Sequence, residues 1–243
     1  MLTEWVGAPL QALRDAAVER LARTGVGPNV LTLCGLATSL VAAGFASVGG
    51  FRPAGLLLLA AGVFDALDGA IARRTNQSSP FGAFLDSVMD RYADLTVLLG
   101  LMLYYAAAWG EAAVTGAHQP GLPWSNPPLV FAAGTVLGSA LTPYARARAE
   151  SLIAECKVGI VERPERLVIL ALGLLLDRVV PALAILAVVS NVTVLQRLFY
   201  VRRVLGGRGA LRDGDHLLFW TYPRGSIPFD LLCGVLLAIL LFA

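Results

Sequence analysis

Charge is what this sequence of 243 residues has little of: 15% of its residues are Asp, Glu, Lys or Arg, where a soluble domain carries about 25%. Lys157 is the single lysine, so nearly all positive charge is guanidinium, which suits planar recognition of phosphate. Three cysteines, Cys34, Cys156 and Cys233, are odd in number and far apart, which excludes a disulfide-stapled secreted scaffold. A net charge of +2 leaves little phosphate-neutralising excess, which argues against a nucleic-acid partner. Polar, disorder-prone composition is missing as well, since 57% of the residues are hydrophobic. The mean hydropathy is +0.70. What remains is an integral membrane protein, and its 17 acidic residues need an explanation.

Apolar segments follow one another at span length, about 20 residues for a bilayer core. Val30 to Phe51 contains no charge, and further spans are expected at Ala54–Arg74, Gly82–Trp109, Pro128–Glu150, Pro164–Leu176 and Pro181–Val204. All should be helices, because backbone polar groups in lipid must be satisfied within the segment. The expected fold is therefore an all-α membrane protein with six transmembrane helices. Ahead of them no signal-peptide core occurs among the first 28 residues. Leu10, Leu13, Ala17 and Leu21 recur at helical spacing with Arg14, Arg20 and Arg23 between them, which reads as an amphipathic helix in the membrane interface. A soluble arm is the alternative. Residues 1–205 form one membrane domain in this reading, and 206–243 a tail whose apolar stretch Ile227–Ala243 is 17 residues long. That stretch suits a seventh helix, a re-entrant piece or an interfacial anchor.

Basic residues set the orientation. Arg14, Arg20, Arg23, Arg73, Arg74, Lys157, Arg163, Arg202 and Arg203 fall on one side of this layout, against Arg52 and Arg178 on the other. The positive-inside rule puts the first side in the cytoplasm of a multi-pass cell-membrane protein.

The acids sit where the membrane should exclude them. Asp65 and Asp68 lie in the second segment, and Asp86, Asp90 and Asp94 in the third. An Asp at a helix centre costs about 2.5–3.5 kcal/mol on the insertion scale, less near the ends. Their spacings of three and four put each set on one helix face. The short link from Arg74 to Phe81 makes the two helices antiparallel neighbours, so the acidic faces can converge. Converging carboxylates repel unless something neutralises them. A hard divalent ion, Mg²⁺, Mn²⁺ or Ca²⁺, would do so. A transporter's proton relay, or ion pairs to Arg73 and Arg91, would account for the same acids. Gly69, Ala72 and Gly82 leave space beside them, and Arg73 offers a fork to a phosphate. Small residues in membrane helices also serve plain helix packing.

The run Asp65-Ala-Leu-Asp68-Gly69-Ala-Ile-Ala72-Arg73, followed after a spacer by Gly82-Ala-Phe-Leu-Asp86-Ser-Val-Met-Asp90, resembles the signature of the CDP-alcohol phosphotransferase family, DxxDGxxAR and GxxxDxxxD. The segment Gly27-Pro28-Asn29-Val30-Leu31-Thr32 is similar to one these enzymes carry before their first span. The resemblance implies that Asp65, Asp68 and Asp86, with Asp90 contributing, hold two divalent ions, Mg²⁺ or Mn²⁺, at the diphosphate of a CDP-linked donor. Asp65, Asp68, Gly69, Ala72, Arg73 and Gly82 would bind that donor, CDP-diacylglycerol. Asp90 would be the general base that takes the acceptor hydroxyl's proton, and CMP would leave. Asp94, outside the signature, is expected to support the others. A homodimer is what the family implies.

Tyr144-Ala-Arg146-Ala-Arg148-Ala-Glu150 and Val161-Glu162-Arg163-Pro164-Glu165-Arg166-Leu167 form a second informative region. Dense arginine of this kind is also what a cytoplasmic rim looks like. Arg146, Arg166 and Arg197, however, are set back into apolar helices, where an anionic partner is needed. This region is similar to the bacterial phosphatidylinositol-phosphate synthases of that family, with Arg146 where they carry lysine. The resemblance implies that these three arginines surround the phosphate of a phosphorylated polyol, inositol 1-phosphate. Glycerol 3-phosphate is the nearest rival acceptor, and a cation- or proton-coupled transporter the rival of another class. The tail, with Asp213, Asp215, His216 and Trp220, departs from the pattern. His118 and His216 are expected at the surface.

Overall fold

The computed structural model of the protein describes residues 15–114, 126–206, 219–222 and 226–242. Leu10, Leu13, Arg14, His118, Asp213, Asp215 and His216 lie outside the described residues. Helix α1 covers residues 15–23. It is followed by α2 (Pro28–Ser47), α3 (Phe51–Arg74), α4 (Pro80–Val114), α5 (Pro127–Glu150), α6 (Arg163–Leu175), α7 (Val179–Leu205) and α8 (Ile227–Phe242). No strand occurs among the described residues.

Local chemistry explains the boundaries. Proline opens α2, α4 and α5, where its missing N–H costs nothing. Gly49, at φ +79°, turns α2 into α3, and Asn76, at φ +54°, follows α3. The turn at Gly49-Gly50 leaves Phe51 in α3, three residues ahead of the start expected for that span. Asn126 caps α5 by accepting from Leu129 N. A reciprocal capping box between Glu162 and Glu165 fixes the start of α6.

Helices α2, α3, α4, α5 and α7 are long and apolar enough to cross a membrane. The expected fifth span is shorter: α6 has 13 residues, about 20 Å of rise. The reason is upstream, where residues 151–162 run without helix into a start fixed at Arg163. Helix α8 has 16 residues and contacts α7. Helix α1 lies against α2 and α3, with Val18 buried among Leu31, Leu67 and Ile71.

Interhelix contact is close and polar where the sequence is small. A Cβ on Gly100 of α4 would stand 2.4 Å from the Ala43 carbonyl oxygen of α2, so only glycine allows that approach. Between α5 and α7, Thr135 Oγ1 donates to Leu183 O at 3.0 Å and Asn191 Nδ2 to Gly134 O at 2.9 Å. Such bonds hold helices together in lipid, where apolar burial gives little net attraction. Leu58, Val97, Leu101, Leu170, Leu174, Leu183 and Leu186 fill the shared core. An ion pair, Arg52 Nη2 to Asp177 Oδ2 at 2.8 Å, ties the start of α3 to the α6–α7 turn. Asp65 lies thirteen residues along α3 from Arg52, about 20 Å away. The acids therefore sit toward the other end of the bundle.

Candidate active site

Helices α3 and α4 each pack mainly on α2 rather than on one another, and their acids still converge beside it. Asp65, Asp68 and Asp86 each offer a carboxylate oxygen within 4.8 Å of the others. Asp68 is 5% exposed and accepts from Thr32 Oγ1 of α2 at 2.6 Å. Asp86 Oδ1 is buried and has no hydrogen-bond partner among the described residues. A buried, unpaired carboxylate oxygen costs several kcal/mol unless a cation meets it. Three converging hard oxygens with one orphan fit Mg²⁺ or Mn²⁺, and nothing in the set is a soft ligand.

Two hollows flank the carboxylates. One is an open cleft lined by Asn29, Thr32, Asp68, Gly69, Ala72, Arg73, Gly82 and Asp86, together with Gln77, Ser78 and Ser79 of the α3–α4 link. Arg73 folds back along its own helix, its Nη1 3.5 Å from where a Cβ on Gly69 would be. The other, a much smaller hollow, is lined by Thr32, Ser39, Asp65, Asp68, Asp90 and Arg163 among others. Thr32 and Asp68 line both and so form the partition. Every residue expected around the donor lines the first cleft except Asp65, which faces the second with Asp90.

Arg163, the first residue of α6, dominates that second hollow. Its Nη1 lies 2.6 Å from Asp65 Oδ2, its Nη2 3.0 Å from Asp90 Oδ1, and its Nε 3.3 Å from Asp94 Oδ1. The guanidinium that pairs with these carboxylates is that of Arg163, which serves three of them, not those of Arg73 and Arg91, the alternative partners. Sequence reasoning placed Arg163 on the cytoplasmic rim and missed it. Its position at the start of an apolar helix, three residues before Arg166, was the available signal.

Asp94 continues the network, accepting from Arg166 Nη2 at 3.4 Å. Arg166 is 5% exposed and also donates Nη1 to Ser139 O at 3.3 Å. That carbonyl is open because Pro143, four residues on in α5, has no N–H to give it. Arg166 Nε is buried without a partner among the described residues. Arg197, 2% exposed, donates Nε to Val158 O at 3.0 Å and Nη1 to Thr142 O. Arg146 pairs with Glu150 at 2.9 Å and with Glu162 at 3.3 Å. Arg197 lies in the field of both Arg146 and Arg166. The three arginines are thus held from behind by protein oxygens. Cys156 is buried in the same loop, and burial pushes its thiol above the usual range. Cys34 and Cys233 are exposed on α2 and α8.

The profile of the CDP-alcohol phosphatidyltransferase family matches residues 26–201. The chain belongs to that family. It is an enzyme of the CDP-alcohol phosphotransferase type, and its signature acids are those that α3 and α4 converge. It is 32% identical to the archaetidylinositol phosphate synthase of Pyrococcus horikoshii over 186 residues, covering 76% of this chain and 88% of the relative. It is 33% identical to the phosphatidylinositol phosphate synthase of Mycobacteroides abscessus over 203 residues, covering 80% and 86%. Crystal structures of the Mycobacterium tuberculosis phosphatidylinositol phosphate synthase superpose on it. The complex with manganese and citrate gives a TM-score of 0.66 at 28% identity, covering 78% of this chain and 88% of that one. The form with CDP-DAG bound gives 0.65 at 27% identity, covering 78% and 94%. The family match ends before α8, so this phosphatidyltransferase carries its last helix outside the shared region.

Proposed function

We propose that the enzyme transfers a phosphatidyl group from CDP-diacylglycerol to a hydroxyl of inositol 1-phosphate, releasing CMP. The observation that carries this reading is the partition at Thr32 and Asp68. It leaves an open cleft lined by Gly69, Ala72, Arg73 and Gly82 on one side of the carboxylates, and Asp65, Asp90 and Arg163 on the other. In this reading Gly69, Ala72, Arg73 and Gly82 line the seat of the cytidine and its phosphates. Asp65, Asp68 and Asp86, with Asp90 contributing, hold two Mg²⁺ or Mn²⁺ ions. When bound, the ions neutralise the diphosphate and polarise its phosphoryl oxygens. Asp90 takes the proton of the attacking hydroxyl as the new O–P bond forms and the P–O bond to CMP breaks. Arg146, Arg166 and Arg197 bind the acceptor's phosphate, with Arg166 Nε the donor awaiting it.

The acceptor is assigned on the inositol-phosphate relatives and on three arginines at one end of the bundle. Glycerol 3-phosphate offers the same phosphate with a smaller polyol, and Arg146 in place of the family's lysine alters the fork. Labelled inositol 1-phosphate and glycerol 3-phosphate, offered together with CDP-diacylglycerol and Mn²⁺, test the choice. Label in an inositol lipid is expected. Label in a glycerol lipid alone reassigns the acceptor, and label in neither overturns the transferase reading. A transporter would need its acids near the midplane and internal repeats.

The topology we infer has six spans, with residues 1–205 as the catalytic domain and 206–243 as an added segment. Support for counting α6 comes from Arg52–Asp177, which puts its C-terminal turn level with the α2–α3 turn. Arg73, Arg74, Arg202 and Arg203, in the last turns of α3 and α7, share the end nearer the acids. The positive-inside rule then turns the site to the cytoplasm. Exposed apolar helix faces suit lipid and a homodimer partner.

A further inference from the structure

We propose that Phe219 is a positioning residue for the acceptor-phosphate arginines. The inference rests on the phosphate role of Arg146 and Arg197. Phe219 lies beyond the region shared with the family, which ends at residue 201. It is nevertheless 3% exposed, buried against Ala149, Cys156 and Val158. Tyr200 of α7 meets its ring edge-on at a centroid distance of 5.7 Å, and Arg203 Cζ stands 6.0 Å from the ring centre. Its carbonyl accepts from Gly159 N at 3.2 Å. A side chain and a backbone bond from the tail thus grip one stretch, residues 151–162.

That stretch has no helix or strand of its own. It carries two of the oxygens that hold the arginines. Val158 O accepts from Arg197 Nε at 3.0 Å, and Glu162 Oε1 from Arg146 Nη1 at 3.3 Å. Gly159 sits between them at φ +135°, so close to α7 that a Cβ would lie 2.4 Å from Thr193 Cγ2. A segment threaded this tightly has a definite path, and Phe219 packs against it at Cys156 and Val158. Without the ring, Val158 can move outward, and the Arg197 guanidinium loses the acceptor that fixes its plane. The donor cleft shares no residue with this packing. The effect is therefore selective for the acceptor.

The test compares the full chain with Phe219→Ala and Phe219→Leu in two measurements. Steady-state kinetics with CDP-diacylglycerol, Mn²⁺ and inositol 1-phosphate should show the acceptor KM of Phe219→Ala raised roughly tenfold. Its donor KM and saturated kcat should stay within about twofold of wild type. Phe219→Leu, which keeps the apolar volume, should restore most of the acceptor KM. Calorimetric titration with inorganic phosphate reads the arginines independently of the polyol, and should show weaker binding in Phe219→Ala alone. An unchanged acceptor KM and phosphate affinity overturns the proposal. So does a parallel loss of kcat and donor affinity that Phe219→Leu fails to repair, because that is a folding defect. Wild-type protein that binds phosphate but does not use inositol phosphate speaks against the acceptor assignment instead, and the phosphate titration still decides Phe219. Wild-type protein that binds no phosphate overturns both.

Discussion

Arg163 Nη2 lies 3.0 Å from Asp90 Oδ1, so the proposed base and a fixed cation share one hollow between α3, α4 and α6. The same guanidinium reaches Asp65 and Asp94, and its side chain is 17% exposed. It is a permanent counter-charge for three of the five carboxylates. Asp68 and Asp86 are the two it does not pair with, and Asp86 keeps its orphan oxygen. Asp65 stands between the two groups, paired with Arg163 and within reach of Asp68 and Asp86.

This division predicts the behaviour of Arg163→Gln. Removing a cation beside the carboxylates should leave Mn²⁺ affinity unchanged or tighter, because repulsion of the ion falls. Turnover should still drop about 10- to 100-fold, because Asp90 and Asp94 lose the fork that orients them. Mn²⁺ titration followed by electron paramagnetic resonance, paired with CMP-release rates, checks both halves. Loss of Mn²⁺ binding would contradict the assignment.

Asp90→Asn keeps the shape and removes the basic oxygen. Turnover should fall about 10²- to 10⁴-fold, the usual range for a general base. Binding of CDP-diacylglycerol should be nearly unaffected, since Asp90 lies outside the donor cleft. Equilibrium binding of labelled donor alongside the rate measurement separates the two effects. Normal turnover would remove Asp90 from the base role.

Asp86→Asn tests the cation site by stability as well as activity. In wild-type protein, Mn²⁺ at a hundred times its Kd should add about 2.7 kcal/mol of stability by binding only the folded state. A thermal melt with and without Mn²⁺, in the same detergent, should show an upward shift that Asp86→Asn largely loses. A chelator should abolish turnover and added Mn²⁺ should restore it. An equal thermal shift in Asp86→Asn would place the ion elsewhere.

Pro143→Ala probes how a backbone carbonyl was freed for Arg166. Alanine supplies an N–H four residues from Ser139 and competes with Arg166 Nη1 for that oxygen. The helix itself should gain stability from the change. The acceptor KM should rise severalfold at nearly constant donor KM, measured with inositol 1-phosphate. A KM that does not move would show that Asp94 alone positions Arg166.

Much of the architecture was legible because charge is so scarce. Asp65, Asp68, Asp86 and Asp90 stand out inside apolar segments, and their spacing puts each set on one face of its helix. The segment boundaries came within a few residues because proline and glycine mark them, as at Pro80 and Gly49. Other features depended on tertiary contacts that no periodicity reveals. Arg163 read as one of several rim arginines until the fold brought α6 against α3. Residues 151–162 have no repeating pattern, so their grip on Arg146 and Arg197 was invisible. The length of α6 was harder to read, because its apolar run is continuous from Leu167 to Leu176 while its start is fixed by a capping box at Glu162 and Glu165. Thr32 was quoted only as part of a motif, yet it anchors Asp68 from a third helix.

The central claim is that these carboxylates, loaded with a divalent ion, transfer a phosphatidyl group between two separately held substrates. CMP release by the purified protein from CDP-diacylglycerol tests it most directly, measured with and without Mn²⁺ and with and without inositol 1-phosphate. The account predicts release only when ion and acceptor are both present, with one new inositol-phosphate lipid formed per CMP. Release that needs no acceptor, or no release under any of these conditions, would contradict it.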